Sequence, residues 1–301
     1  MMIEQRAVRF RCHACWLFGI LSLPAQAGPR GVLIVTGGPQ YRIGSHRQFT
    51  LLARALAERG IPVLRFDYRG MGDSEGEARN YEDIGDDLDS AVQHFFEAVP
   101  ELRELVLWGL CDGATAAAFY AGAERRDAGR RDATRPDAAR RDAGHRDAGR
   151  RICGLVLLNP WVRTGAGLAR ATLRHYYWAR LREAAFWRKL FSGALRPGAV
   201  LESLRGQLRA ARATEAPAIA TPQRIFDALA RFQGRSLLIL SGDDLTAREF
   251  DDLQQSSPAW RQLSAAPLRR QVWLSGVNHT FSRAEWRRQV IELSADWVAS
   301  W

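Results

Sequence analysis

The sequence predicts an α/β fold, a mostly parallel sheet with helices on both faces and a helical cap. Six short apolar runs carry that expectation: GVLIV (31–35), VLRF (63–66), LVLW (105–108), LVLL (155–158), LLIL (237–240) and VWL (272–274). Each is short and continuous, as strands buried on both faces are. Stretches with apolar residues at helical spacing separate most of them. Such alternation builds a parallel sheet, and ligands bind outside the carboxyl ends of its strands. With 301 residues and 47% apolar content, the chain can bury one large core.

Taken in chain order, the first stretch supports two readings. Arg9-Phe10-Arg11 followed by CHACWLFGILSLPAQAG has the outline of a signal peptide over 1–27, ending in Ala25-Gln26-Ala27. Gly19 and Pro24 break its apolar core, however. A β-hairpin with strands near 7–13 and 16–22 uses the whole stretch and runs straight into GVLIV. The hairpin is the reading adopted, and with it a cytoplasmic location. HRQFTLLARALAERG then reads as a helix stopped by Gly60, and 81–99 and 114–123 as two more. The chain closes on SRAEWRRQVIELSADWVASW, a helix with Ser282 placed to cap it.

Residues 161–233 break the alternation. They are Arg-rich, aromatic-rich and helical in pattern, so they read as a cap inserted between two strands of a core formed by 1–160 and 234–301. Tyr176, Tyr177, Trp178, Phe186 and Trp187 either line a pocket beneath the cap or pack its helices onto the body.

The net charge of +10 does not imply a nucleic-acid partner. Residues 125–151 contain ten Arg and five Asp, which supplies half of the excess. They repeat a five-residue unit, RRDAG-RRDAT-RPDAA-RRDAG-HRDAG, whose period fits neither helix nor strand. The interleaved Asp weakens any affinity for polyanions, so the stretch reads as a solvated surface insertion. No apolar run reaches the roughly 18 uncharged residues of a membrane span. The four cysteines make no disulfide framework in a chain of this length. Cys12-His13-Ala14-Cys15 falls short of the four ligands a tetrahedral metal site needs, and Cys153 reads as a buried small hydrophobe. Neither metal nor cofactor is expected.

The chemistry is written at the end of the third apolar run. LVLW leads into Gly109-Leu110-Cys111-Asp112-Gly113, followed by a helix of small residues. This is the strand–turn–helix frame of a nucleophile elbow, G-x-S-x-G, with a thiol in place of the hydroxyl. Such a nucleophile needs an acid and then a histidine later in the chain. After LLIL comes Ser241-Gly242-Asp243-Asp244, and after VWL comes Ser275-Gly276-Val277-Asn278-His279. Cys111, Asp244 and His279 are therefore the candidate triad, with Asp244 favoured over Asp243. Cys111 sits at a helix N-terminus beside a base, and both favour its thiolate.

Several stretches together carry a family resemblance: GGPQYRIGSHRQFTLLARALAERGIPVLRFDYRGMGDSEG (37–76), WGLCDG (108–113), NPWVRT (159–164) and LSGDDLTAREF (240–250). The chain resembles an α/β-hydrolase over nearly all its length outside the repeat, and within that superfamily is similar to the exosortase A system-associated hydrolase 1 family. That family accompanies exopolysaccharide and protein-sorting systems of Gram-negative bacteria, and a cysteine at the elbow is usual in it. The resemblance implies an oxyanion hole partly supplied by Thr36-Gly37-Gly38-Pro39. Pro39 lacks an N–H, so the implied donors are the backbone N–H groups of Gly38 and Asp112. Thr36-Gly37 stands where a His-Gly pair is common. In FDYRGMGDS, Asp67 and Arg69 are implied to brace neighbouring loops. The expected substrate is a small acyl ester or thioester. Acyl transfer by the same triad, or an inactive scaffold of the pathway, are the alternatives.

Lengthening a flexible loop costs only about 0.6 kcal/mol per doubling. Deletion of 126–149 is therefore expected to leave the melting temperature and esterase activity nearly unchanged. Loss of activity in a normally folded deletion variant would place the repeat at the site.

Overall fold

The computed structural model describes residues 3–38, 41–129, 151–162 and 221–301. Eight strands form one sheet: β1 (Glu4–Cys12), β2 (Cys15–Leu23), β3 (Arg30–Val35), β4 (Val63–Asp67), β5 (Glu104–Leu110), β6 (Arg151–Leu158), β7 (Arg235–Ser241) and β8 (Arg269–Leu274). Their order is β1-β2-β4-β3-β5-β6-β7-β8. From β3 onward the pairings are parallel, and β1 and β2 add an antiparallel hairpin on β4. All six apolar runs are strands.

Their side chains alternate between two cores. Val32 and Ile34 face one cluster and Leu33 and Val35 the other, whereas the edge strand β8 is not buried on both faces as the sequence predicts and leaves Trp273 exposed. The first cluster is covered by α1 (Gln48–Glu58) and α7 (Ala284–Ala299), through Phe49, Leu52, Val290 and Val298. A buried hydrogen bond of 3.1 Å from the Trp108 indole to Ser294 ties α7 to the sheet. The second is covered by α2 (Gly85–Ala98), α3 (Asp112–Gly129), α4 (Thr221–Arg231), α5 (Leu245–Gln255) and α6 (Pro258–Ser264).

The hairpin reading holds at the N-terminus. Cys12 and Cys15 are paired residues flanking a two-residue turn, in which His13 takes a φ of 53°. The C-x-x-C spacing is thus a turn spacing, and both thiols are free. Leu17 and Leu21 are buried in the core. Beyond the end of β4, the edge of β2 is completed by the following turn. Trp16 N–H donates to the Glu75 carboxylate at 2.8 Å, Phe18 N–H to Ser74 Oγ at 3.0 Å, and Glu75 N–H to the Trp16 carbonyl at 3.0 Å.

Four features depart from the sequence reading. The backbone of α3 continues to Gly129, so the first repeat unit is helical. The rest of the repeat, 130–150, lies outside the described residues, as do 163–220 with most of the expected cap and its five aromatic residues. The last part of that expected cap, α4, packs against α3 as a layer of the core: Ile225 is fully buried there and Leu229 nearly so. Ser282 does not cap α7. Arg283 holds the cap position, and Ser282 hydrogen-bonds Asn278. Finally, α5 and α6 fill a stretch to which the sequence assigned no element.

No helix among the described residues is long and apolar enough to cross a membrane. Among the same residues, no cluster of three or more His, Cys, Asp or Glu side chains could hold a metal ion.

The approach of α4 to α3 has no slack at Gly122. A Cβ there would lie 2.5 Å from the Ala228 Cα. Alanine gains about 1 kcal/mol of helix propensity over glycine, whereas overpacking costs about 1–3 kcal/mol. Gly122→Ala is therefore expected to lower stability by roughly 1 kcal/mol in denaturant titration. A gain in stability would show that the two helices yield.

Candidate active site

The sheet order reverses at β3, whose neighbours are β4 and β5. Chains leaving the carboxyl ends of β3 and β5 diverge to opposite faces, α1 on one and α3 on the other, which opens a crevice between them. Cys111 stands at its edge. It has a φ of 60°, the only left-handed residue between β5 and α3. Its N–H donates to the Leu158 carbonyl at 2.9 Å, and its carbonyl accepts from Ala114 at 3.1 Å and from Thr115 and Trp161 at 3.2 Å each.

The glycines on either side are required by space. A Cβ on Gly109 would lie 2.5 Å from the Gly113 carbonyl oxygen, and one on Gly113 would lie 2.5 Å from that of Val35. Side chains at either position would push α3 off the sheet. Alanines fill the next buried positions, Ala114, Ala117 and Ala118, and keep the helix close.

The structure brings all three candidate triad residues together. Asp244 is buried at the end of β7 and is the N-cap of α5. Its Oδ1 accepts from Thr246 N–H at 3.1 Å, and its Oδ2 lies 2.7 Å from His279 Nδ1. Asp243 is exposed and meets this region only through its N–H, which donates to the Val277 carbonyl at 2.9 Å. The Cys111 thiol is the other group that acts on the His279 ring. With Nδ1 committed to Asp244, Nε2 is the nitrogen left for sulfur. Burial alone would push the imidazole pKa down, but Asp244 and Cys111 outweigh it and hold His279 well above its ordinary range. Both partners thus favour the protonated ring.

The two implied oxyanion donors also meet in the crevice. The N–H groups of Gly38 and Asp112 both point at the Asp112 carboxylate, which burial drives above its ordinary pKa range. Gly38 has a φ of 50°, and its carbonyl accepts from the Tyr68 hydroxyl at 3.2 Å. Pro39 lies outside the described residues.

Asp67 and Arg69 both brace. Asp67 is fully buried and accepts from Arg42, through the backbone N–H at 2.7 Å and through the guanidinium. Arg69 forms a buried bidentate pair with Asp87, its Nη2 2.8 Å from Oδ2.

Sequence reasoning missed three side chains near the site. Asn159, fully buried with a φ of 43°, exchanges two hydrogen bonds of 2.9 Å with Ser241 and so locks the ends of β6 and β7. Its place right after LVLL was the available signal. Tyr68 had none. The Asp112 carboxylate was visible beside the nucleophile, but only its backbone had been given a role.

The frame of parallel strands, elbow, acid and histidine has a known owner. The chain belongs to the Alpha/beta hydrolase family, which it matches over residues 32–297. It is 32% identical over 122 residues to the polyketide transferase grgF of a Penicillium species, an alignment covering 38% of this chain and 37% of that one. Among solved structures it is similar to an esterase of Pyrococcus furiosus, with a TM-score of 0.62 and 14% identity over 99% of this chain and 92% of the other. A dienelactone hydrolase of Anabaena variabilis superposes with a TM-score of 0.58 and 15% identity, covering 100% and 99% of the two chains. These likenesses establish the hydrolase fold.

The thiols differ sharply in surroundings. Burial pushes the Cys153 thiol up to about 12 and raises Cys12 as well, whereas Cys111 is half-buried beside His279. Iodoacetamide at neutral pH is expected to label Cys111 before Cys153 or Cys12, read by peptide mapping. An inert Cys111 beside a reactive Cys153 would exclude an activated thiol.

Proposed function

We propose that this hydrolase cleaves an ester or thioester of a small acyl substrate with Cys111 as nucleophile, His279 as base and acid, and Asp244 as the carboxylate that orients it. The single observation that carries the reading is the 2.7 Å contact between Asp244 Oδ2 and His279 Nδ1, on a ring that the Cys111 thiol also acts on. It fixes the ring so that its remaining nitrogen serves sulfur and substrate.

In the first half-reaction the Cys111 thiolate attacks the carbonyl carbon. A C–S bond forms, and the carbonyl oxygen becomes an oxyanion held by the Gly38 and Asp112 N–H groups. Collapse breaks the bond to the leaving oxygen or sulfur, which takes the proton from His279. In the second half-reaction water gives a proton to His279 and attacks the acyl thioester. The new bond forms as the C–S bond breaks, and Cys111 leaves as thiolate.

An alcohol or thiol can replace water in that second step. The identity to a polyketide transferase favours this acyl-transfer reading as the runner-up. The motifs at 37–76, 108–113 and 240–250 associate the activity, in our reading, with an exosortase and exopolysaccharide system. We also infer a cytoplasmic site of action, which fits the use of residues 4–23 as two strands of the sheet.

A panel of p-nitrophenyl esters and acyl thioesters, run with and without an alcohol acceptor, tests the reading. Wild type is expected to turn over and Cys111→Ala to be inactive. In a serine triad, loss of the aspartate charge costs about 10⁴ in kcat, and a thiol depends less on its base. Asp244→Asn is therefore expected to lose roughly 10²- to 10³-fold. A damaging Asp243→Asn beside a harmless Asp244→Asn would reverse the acid assignment.

A further inference from the structure

The Asp112 side chain lies where the proposed reaction needs room for another anion. Asp112 follows the nucleophile and opens α3, yet its carboxylate turns inward. Gly113 N–H donates to Oδ1 at 3.0 Å, and the N–H groups of Gly38 and of Asp112 itself also bond to this carboxylate. The surrounding loop is cut to fit it. A Cβ on Gly37 would lie 2.0 Å from Oδ1, and one on Gly38 would lie 3.2 Å from Oδ2. Two consecutive glycines therefore keep the carboxylate's space clear. The Tyr68 hydroxyl holds this loop from behind, and the titratable groups facing the carboxylate are Tyr68, His279 and the adjacent Cys111.

Gly38 and Asp112 supply the same two N–H groups that the mechanism assigns to the oxyanion. A cradle that holds a carboxylate is well formed for a tetrahedral oxyanion, but it holds one anion at a time. Two negative oxygens in contact repel strongly where water is scarce.

We propose that Asp112 determines specificity at this site: its carboxylate is an internal occupant of the oxyanion hole, displaced by the carbonyl oxygen of a neutral acyl group and competing against carboxylates from outside. The inference rests on the Cys111 reading above. A tethered group competes at an effective concentration on the order of millimolar or more. A carboxylate product therefore meets a rival for the very N–H groups it would bind, and leaves. An acyl group bearing its own carboxylate near the carbonyl is disfavoured for the same reason.

The test compares wild type with Asp112→Ala and Asp112→Asn, which keep the backbone N–H. Butyrate is the probe, titrated calorimetrically, and p-nitrophenyl butyrate the substrate. Asp112→Ala is expected to bind butyrate at least about tenfold more tightly, to be inhibited by it correspondingly, and to show a lower KM. Asp112→Asn keeps the shape without the charge and is expected to move the same way, which covers the case of an unstable alanine variant. Butyrate affinity that is unchanged or weaker in both variants, or a KM that rises, overturns the proposal. Calorimetry does not depend on the thiol, so an inert Cys111 would sink the catalytic reading while an unchanged butyrate affinity would sink this one.

Discussion

At Cys111 the chain must turn from a strand into a helix without leaving the sheet, and it does so through a left-handed residue. That conformation costs an L-residue about 1–2 kcal/mol. It persists because both peptide groups of Cys111 are tied down, one to Leu158 and the other to Ala114, Thr115 and Trp161. Gly109 and Gly113 make the turn sterically open. The exposure of the thiol, the direction of the Asp112 N–H and the closeness of α3 all follow from this one turn. Local strain here is the means of presenting the Cys111 thiol at the rim of a sheet with a buried interior.

The other half of the site depends on a carboxylate with two duties. Asp244 caps α5 with one oxygen and orients His279 with the other. The cap fixes the rotamer, and the fixed rotamer aims the second oxygen. Beneath it, Asn159 and Ser241 satisfy each other in a fully buried pair. Each such bond contributes about 1 kcal/mol net, but a broken one would leave a buried group unsatisfied at about 1–3 kcal/mol. The ends of β6 and β7, the latter leading into Asp244, are therefore held by bonds that are costly to lose. Binding energy is not needed to assemble them.

How much was legible follows from where the signals are local. Five strands were legible because parallel strands buried on both faces leave continuous apolar runs, and β8 was legible by its short run VWL although Trp273 is exposed. The elbow was legible because its two glycines flank the nucleophile position in a fixed local pattern, even though Gly113 is required by the distant Val35 carbonyl. Asp244 and His279 were legible through their order after the last two strands. Two elements failed for the opposite reason. Helix α4 shares its Arg-rich pattern with the residues before it, and only its contact with Gly122 assigns it to the core. Ser282 has the residue type of a cap, but Asn278, four residues earlier, takes its hydroxyl. The carboxylate of Asp112 was unreadable because the loop that encloses it, with Gly37 and Gly38, lies more than seventy residues away.

The turn that completes the edge of β2 makes the N-terminal hairpin part of the site's foundations. Ser74 and Glu75 bond the hairpin, and Ser74 also bonds the Asp67 carbonyl, while Asp67 holds Arg42 on the loop between β3 and α1. One chain of polar contacts thus runs from β2 to the loop that carries Arg42. In hydrogen exchange, the amides of 16–18, 42 and 73–75 are expected to open together and separately from the Trp108–Ser294 core. The turn after β4 thus braces the hairpin and the loop of Arg42 at once.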